Sequence, residues 1–399
     1  MYVRKLSDWL ESFLEFTDYS EAPTIFRKWV GISTVAGMLQ RKCYIQWDQP
    51  TYPNMYIVLV GPSGAGKGTA MRPARDILDE LGATIAPESV IREELINVLE
   101  DTAASFIIEG IQEYHSSMNV WSDEMTVFVG RDKSQLVMDL TNWYDCPNRW
   151  RYATKNSGKN DIGNVFVNWL AATTPQQLSA TLTADALAGG LTARIIFIFA
   201  QKREKLIAMP WLHIANKELK EALLSDLSQS ISQMQGMYKL NEKFINKYVP
   251  WYEDPKNQNV FSSDMFDGYS RRRPKHLIKL AMVISACRNE SMILTEHDFD
   301  KALDILKEAE LVMPRAFAGV GESDLSGIMG RVETFVESYK NTNMQTIMRR
   351  FALDADYDKM TRVMLTLESQ GKIIRRRNKV GDFNPDVIWI GKDKEDNSD

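Results

Sequence analysis

Cysteine is scarce in this 399-residue chain. Cys43, Cys146 and Cys287 are far apart and odd in number, so they build neither a disulfide framework nor a zinc site, and they suit a reducing cytoplasm. Long hydrophobic runs are missing as well. The most apolar early stretch, VGISTVAGML at 30–39, is too short to span a bilayer, which predicts no membrane partner. The start, MYVRKLSDWLESF, has an acidic residue by position 8 and no apolar run, so it does not read as a secretion signal. There is no low-complexity tract and no internal repeat. Nor is there an excess of basic charge: 48 Lys and Arg stand against 53 Asp and Glu, a net charge of −5. Any nucleic-acid contact must therefore come from local patches.

What is present is a chain that is 44% hydrophobic, enough for two or three compact units with cores of their own. Leu6, Leu10, Phe13 and Leu14 recur at helical spacing, and after a Glu-Ala-Pro break at 21–23 the pattern resumes from Ile25 to Leu39. MYIVLVG at 55–61 is a continuous apolar run of the kind found in parallel strands covered on both faces. Helices are predicted over 68–81 and 88–100, and strands over 118–123, 164–173 and 193–200. Alternating strands and helices predict an α/β fold with a parallel sheet over about 51–205. A helical region of 1–50 precedes it. A helical lid of 206–322, a small module of 323–392 and an acidic, disordered tail of 393–399 follow.

GPSGAGKGT, Gly61, Pro62, Ser63, Gly64, Ala65, Gly66, Lys67, Gly68 and Thr69, lies between the 55–60 strand and a helix. Triphosphates need closely packed backbone N–H donors, which side chains would obstruct. Gly61, Gly64 and Gly66 give that room, and Lys67 would reach the β- and γ-phosphates of ATP. The usual motif has Ser or Thr directly after the Lys to bind Mg²⁺. Here Gly68 occupies that position and Thr69 follows it, so either Thr69 or a water serves the metal.

MNVWSDE at 118–124 ends a short apolar run in two carboxylates. Asp123 would hold Mg²⁺ through water and Glu124 would polarise the attacking water. NVFVNWLAATTP at 164–175 ends in two hydroxyls, so Thr173 or Thr174 would sit beside the γ-phosphate or simply cap a strand end. Arg194 precedes the buried run IIFIF, where an arginine must be ion-paired or exposed at a subunit edge as a finger for a neighbour's nucleotide. Arg271, Arg272 and Arg273 begin a predicted helix, where cations oppose the dipole and imply a nearby anion or a solvated run.

RWRYATKNSGKND at 149–161 reads as a hairpin. Arg149, Arg151 and Lys155 share one face, with Lys159 past the turn. It is either a hairpin tracking single-stranded DNA in a ring channel or an ordinary edge hairpin. The final module reads as three short helices followed by two strand-like runs. It carries twelve Lys and Arg against eight Asp and Glu over 326–392, an excess of four positive charges. Three helices and a β wing resemble a winged-helix domain, with Lys359 and Arg362 on the recognition helix (356–370) and Arg375, Arg376 and Arg377 on the wing, facing duplex DNA. Such domains also serve as protein-interaction modules.

Taken in order, GPSGAGKGT, WSDE, the strand ending in Thr-Thr-Pro, LTARIIFIF, and RRRPKHLIKLA followed by ILTEHDFDKAL resemble AAA+ ATPases. With EAPTIFRKWVGISTVAGMLQR, PNMYIVLVGPSG, LTNWYDCPNRWRYATKNSG and NWLAATTPQQL, the chain is most similar to the helicase-like ATPases of phages and mobile elements that accompany primases. LTARIIFIF and the later Arg-Arg-Arg-Pro also resemble the finger and sensor layout of minichromosome-maintenance helicases. The similarity covers about 10–310. It implies Arg194 as a finger acting in trans, Arg273 as a second sensor, a homo-oligomeric ring expected to be a hexamer, and a primase or polymerase partner in the host cytoplasm. It implies an ATP-dependent DNA helicase or translocase, or an ATP-switched initiator, loader or regulator. The Gly-Lys-Gly-Thr variant also resembles nucleoside monophosphate kinases, which are too compact to need the remaining domains.

Overall fold

In the computed structural model, the described residues are 2–88, 90–129, 134–154, 158–181, 190–209, 216–261, 263–317, 324–352, 354–376 and 385–390. The chain forms two compact units, Met1–Phe317 and Ala318–Asp399. Both contain helices and strands, the first with a largely parallel sheet, so the fold is α/β.

The strands of the first unit are β1 (Cys43–Gln46), β2 (Pro50–Thr51), β3 (Tyr56–Val60), β4 (Ala103–Ile108), β5 (Ile111–Ser122), β6 (Arg149–Thr154), β7 (Gly158–Gly163), β8 (Val165–Thr173), β9 (Ile195–Phe199), β10 (Gly236–Leu240) and β11 (Ile293–Leu294). The main sheet has the order β4-β5-β8-β3-β9. All of its strand pairs are parallel except β4 with β5. Every residue of β3 and β8 is buried, because helices cover both faces and leave no position where a polar side chain would gain water. Register brings the carboxyl ends level: Val60 lies opposite both Thr173 and Phe199, and Ser122 opposite Ala171. The residues following these strands therefore converge on one edge.

The helix Thr24–Leu39 packs across β3, β8 and β9, and Glu296–Ala316 lies along β9. The first is amphipathic only weakly because it is buried nearly all round, from Phe26 to Leu39. Caps set other helix starts. Asp8 accepts from the amides of Leu10 and Glu11, and Thr295 and Asp298 form a capping box.

The expected helical lid, 206–322, contains two strands among its described residues. β10 and β11 join β1 and β2 in a second sheet of order β11-β10-β1-β2. Chain segments on both sides of the main sheet are thereby hydrogen-bonded together, Cys43 opposite Gly236 and Leu240 opposite Leu294. The expected divisions near 50 and 205 consequently fall inside one compact unit. β4 was also not foreseen. It is mostly exposed, so hydrophobic alternation did not mark it.

The second unit has helices Asp324–Tyr339, Met344–Arg350 and Tyr357–Ser369. Its strands are β12 (Asn341–Asn343), β13 (Ile373–Arg376) and β14 (Asp386–Trp389), an antiparallel sheet of order β12-β14-β13. Val332, Ile347, Met360, Val363, Leu367, Ile373 and Val387 form its core. Asp356 caps the third helix on the amide of Lys359, and Gly371, at φ +71°, turns the chain out of it.

Candidate functional site

The glycine-rich loop leaves β3 at Gly61, whose amide donates to the Thr173 carbonyl at 3.3 Å. A Cβ at Gly61 would lie 2.5 Å from the Ala200 carbonyl oxygen, so this glycine permits a close approach of two strand ends. Gly64 and Gly66 hold φ of +79° and +88°, left-handed conformations that L side chains avoid. Gly66 also packs on the next segment: a Cβ there would lie 3.1 Å from Ala22 Cα. Ala65 is buried beneath the loop. The helix Lys67–Glu80 then starts without a side-chain cap, leaving its first amides available to an anion.

Lys67 Nζ donates to the carbonyls of Gly61 (2.6 Å) and Pro62 (3.1 Å). Burial pushes its pKa down, against the opposing charge of Glu124. Glu124 accepts from Thr126 Oγ1 at 3.0 Å and from Thr173 Oγ1 at 3.3 Å. A cavity of about 420 Å³ gathers Ser63, Gly64, Gly66, Lys67, Gly68, Thr69 and Glu124 with Thr174, Glu21, Ala22, Arg72 and Arg203. Three cations stand against two carboxylates, on a glycine loop at a helix N-terminus, so the lining of the cavity carries an excess of positive charge that attracts anions.

Of the two hydroxyls left as alternatives, one faces the cavity, and of the two expected carboxylates one does not. Thr174, not the fully buried Thr173, lines the cavity, while Thr173 touches Glu124. Asp123 is exposed and is not among the described residues lining it. No described group of three or more His, Cys, Asp or Glu could hold a metal by itself. Thr69 and Glu124 face the same cavity, so the donors suit Mg²⁺ carried on a nucleotide.

Arg194 ends a short 3₁₀ turn, Thr192–Arg194, and is nearly buried. Its guanidinium pairs with Asp145 at 2.5 Å and donates to the Gly190 carbonyl at 2.7 Å. Lys275 and Arg272 approach the same carboxylate at 3.3 and 3.7 Å. Burial raises the Asp145 pKa, yet these three cations hold it below the ordinary carboxylate value. The intrachain ion pair, one of the two alternatives for an arginine before a buried strand, is thus formed.

Arg271, Arg272 and Arg273 do not begin their helix. It starts at Asp267, so they sit in its second turn. For Arg272 and Arg273 the implied anion is the protein's own, Asp145 and Glu310. Arg273, 1% exposed, makes a bidentate pair with buried Glu310 at 2.5 and 2.8 Å and lies 5.2 Å above the Trp251 ring. Arg273 is not among the described residues around the glycine loop. Its expected contact with nucleotide is therefore replaced by a structural ion pair.

The hairpin forms as β6 and β7, Arg151 opposite Asp161. Arg149 and Arg151 both turn to Asp161, the first through Nε at 2.6 Å and the second at 3.5 Å. On the other face Trp150 meets Trp143 edge-on at 5.3 Å, and Tyr152 lies under Arg92. Lys159 is exposed; Lys155 lies outside the described residues. In the second unit Arg362 and Arg376 are exposed, Lys359 is half-buried, and Arg375 pairs with Glu368 at 2.6 Å. Arg377 and the acidic tail lie outside the described residues.

Sequence reading missed Glu21, Arg72 and Arg203. Arg72 lies three residues beyond Thr69 on the loop helix, a spacing that puts both on one face and was the signal available. Glu21 and Arg203 come from distant segments and carried none. A second cavity of about 270 Å³ shares no lining residue with the first and is walled by Ile195, Phe197, Phe266, Met313 and Phe317 among others. No described helix is long and apolar enough to cross a membrane. No protein-family model matches the sequence, and no curated protein does so either.

Proposed function

We propose that this chain is a P-loop ATPase of the AAA+ kind, with a C-terminal winged helix, that works on DNA as a helicase or translocase in phage or mobile-element replication. The observation that carries the reading is the meeting of Lys67, Thr69 and Glu124 around one glycine-lined cavity at the carboxyl edge of a parallel sheet. In this reading the loop amides and Lys67 hold the β- and γ-phosphates, and Glu124, oriented by Thr173, takes a proton from the attacking water. Mg²⁺, when bound, would neutralise phosphate charge; Thr69, which lines the cavity, would hold it, and Asp123, which lies outside the lining, would reach it through water. Arg194 would act on a neighbouring subunit only after leaving Asp145, so assembly of a ring has to supply a competing anion.

The second reading is an ATP-switched DNA-binding initiator, loader or regulator without unwinding. The pairing of Arg149 and Arg151 with Asp161 favours it, since it leaves exposed cations such as Arg362 and Arg376 in the second unit as DNA contacts.

ATP turnover with and without single-stranded and duplex DNA, a forked-duplex unwinding assay and the particle mass test both. DNA-stimulated turnover with strand separation by a ring supports the motor. Sequence-specific footprinting without strand separation selects the switch. ATPase activity indifferent to DNA counts against the motor.

A further inference from the structure

The glycine loop is wedged between two segments, and an ion pair open to water joins them over its crest. On one side Gly61 abuts Ala200, which follows β9; on the other Gly66 abuts Ala22 and Pro23. Residues 203–207 are tied to 18–24 at several points. The Glu204 amide donates to the Glu21 carbonyl at 3.2 Å and the Ile207 amide to the Glu21 carboxylate at 2.8 Å. The Thr24 amide donates to Glu204, and Lys205 pairs with Asp18 at 2.9 Å.

Arg203 stands at the centre of this arrangement. Its Nε donates to the Gly64 carbonyl at 3.0 Å, and its Nη1 pairs with Glu21. Both side chains line the cavity that holds Lys67, Thr69 and Glu124. They also line an adjoining cavity with Tyr19, Arg72, Pro73 and Ile207. Arg203 therefore stands where the two spaces meet. Its side chain is 48% exposed and that of Glu21 24%, and an ion pair so accessible to water contributes little. A polyphosphate entering the loop brings oxygens that a guanidinium binds bidentately, and it brings negative charge towards Glu21. Arginine gains by turning to the phosphate, and Glu21 is repelled.

Resting on the reading of this cavity as a nucleoside-triphosphate site, we propose that Arg203 is an exchangeable phosphate ligand that passes from Glu21 to the terminal phosphate. The exchange makes the site distinguish triphosphate from diphosphate and loosens the tie between segments 18–24 and 203–207. Arg203 is then the attractive element of that discrimination and Glu21 the competing one, so their removal has opposite effects.

The experiment is calorimetric titration of the full chain with Mg·ATP and with Mg·ADP. The chains compared are wild type, Arg203→Ala, Arg203→Lys, Glu21→Gln and Lys67→Ala. Arg203→Ala is expected to raise the ATP Kd by about tenfold, the effect of one charge-assisted contact, and the ADP Kd by less than about twofold. Arg203→Lys recovers part of the loss, and Glu21→Gln tightens ATP by about threefold. Unchanged ATP binding by Arg203→Ala overturns the proposal. So does equal weakening of both nucleotides by Arg203→Ala and Glu21→Gln, the mark of a purely structural staple. Those results leave Lys67→Ala defective and the nucleotide site standing. Failure of the wild-type chain to bind either nucleotide removes the site itself.

Discussion

Thr173 Oγ1 lies 3.3 Å from Glu124 Oε1, so a hydroxyl at the end of β8 orients a carboxylate that follows β5. The contact exists because β8 lies between β3 and β5 and its end is level with theirs. Thr173→Val keeps the shape of this fully buried side chain and removes the donor. Its ATP turnover is expected to fall by about five- to tenfold, as one hydrogen bond of about 1 kcal/mol allows, with ATP affinity unchanged. Steady-state kinetics beside binding isotherms check this. Equal losses in kcat and affinity would point to a collapsed site.

Arg273→Met leaves the Glu310 carboxylate buried without its bidentate partner. Breaking a buried pair on one side costs about 3–5 kcal/mol, and chemical denaturation measures it. A stable Arg273→Met chain with nucleotide binding lost would instead return Arg273 to the role of a sensor.

Asp161→Ala releases the guanidinium groups of Arg149 and Arg151 on an exposed hairpin. The melting temperature is expected to stay near that of wild type, and DNA affinity to rise. The slope of log K against log salt should steepen by about 1 to 2 if both cations reach phosphates. An unchanged slope would assign the hairpin to packing against Trp143 and Arg92 alone.

How far the sequence could be read follows from the range of the interactions involved. The glycine loop, the strands at 56–60 and 165–173 and the three helices of the second unit are written in contiguous residues, by periodicity or glycine spacing. The sheet joining β1, β2, β10 and β11 is not. Its strands are two to five residues long, and its central pair joins positions some 190 apart, as Cys43 with Gly236. Arg194 and Arg273 announced that each needed an anion. Nothing local named Asp145 or Glu310, which arrive only through tertiary packing. Arg203 carried no signal because the loop that it touches lies about 140 residues earlier.

Lys279 gives a pH dependence. Its ammonium donates to Asn54 Oδ1 at 2.5 Å and lies 3.9 Å from the Tyr144 ring centre. Burial pushes its pKa down to about 7, against the nearby Cys146 thiol. Unfolded lysine keeps its proton to about pH 10.4. Between these values the unfolded chain holds more protons, so Lys279 makes stability rise with pH. From pH 7 to 8.5, below the raised thiol and phenol titrations of Cys146 and Tyr144, wild type should gain about 1–2 kcal/mol over Lys279→Met. Urea denaturation at the two pH values measures the difference, and parallel pH profiles would refute it.

If Lys67 and Glu124 share one ATP-hydrolysing site, phosphate release by purified wild-type, Lys67→Ala and Glu124→Gln chains reads it out. The wild-type chain is expected to turn over ATP and Lys67→Ala to lose both binding and turnover. Glu124→Gln should bind ATP as wild type does and lose about a hundredfold or more in rate. Turnover by either variant at the wild-type rate, or none by the wild-type chain at any concentration with DNA present, would show that Lys67 and Glu124 do not form such a site.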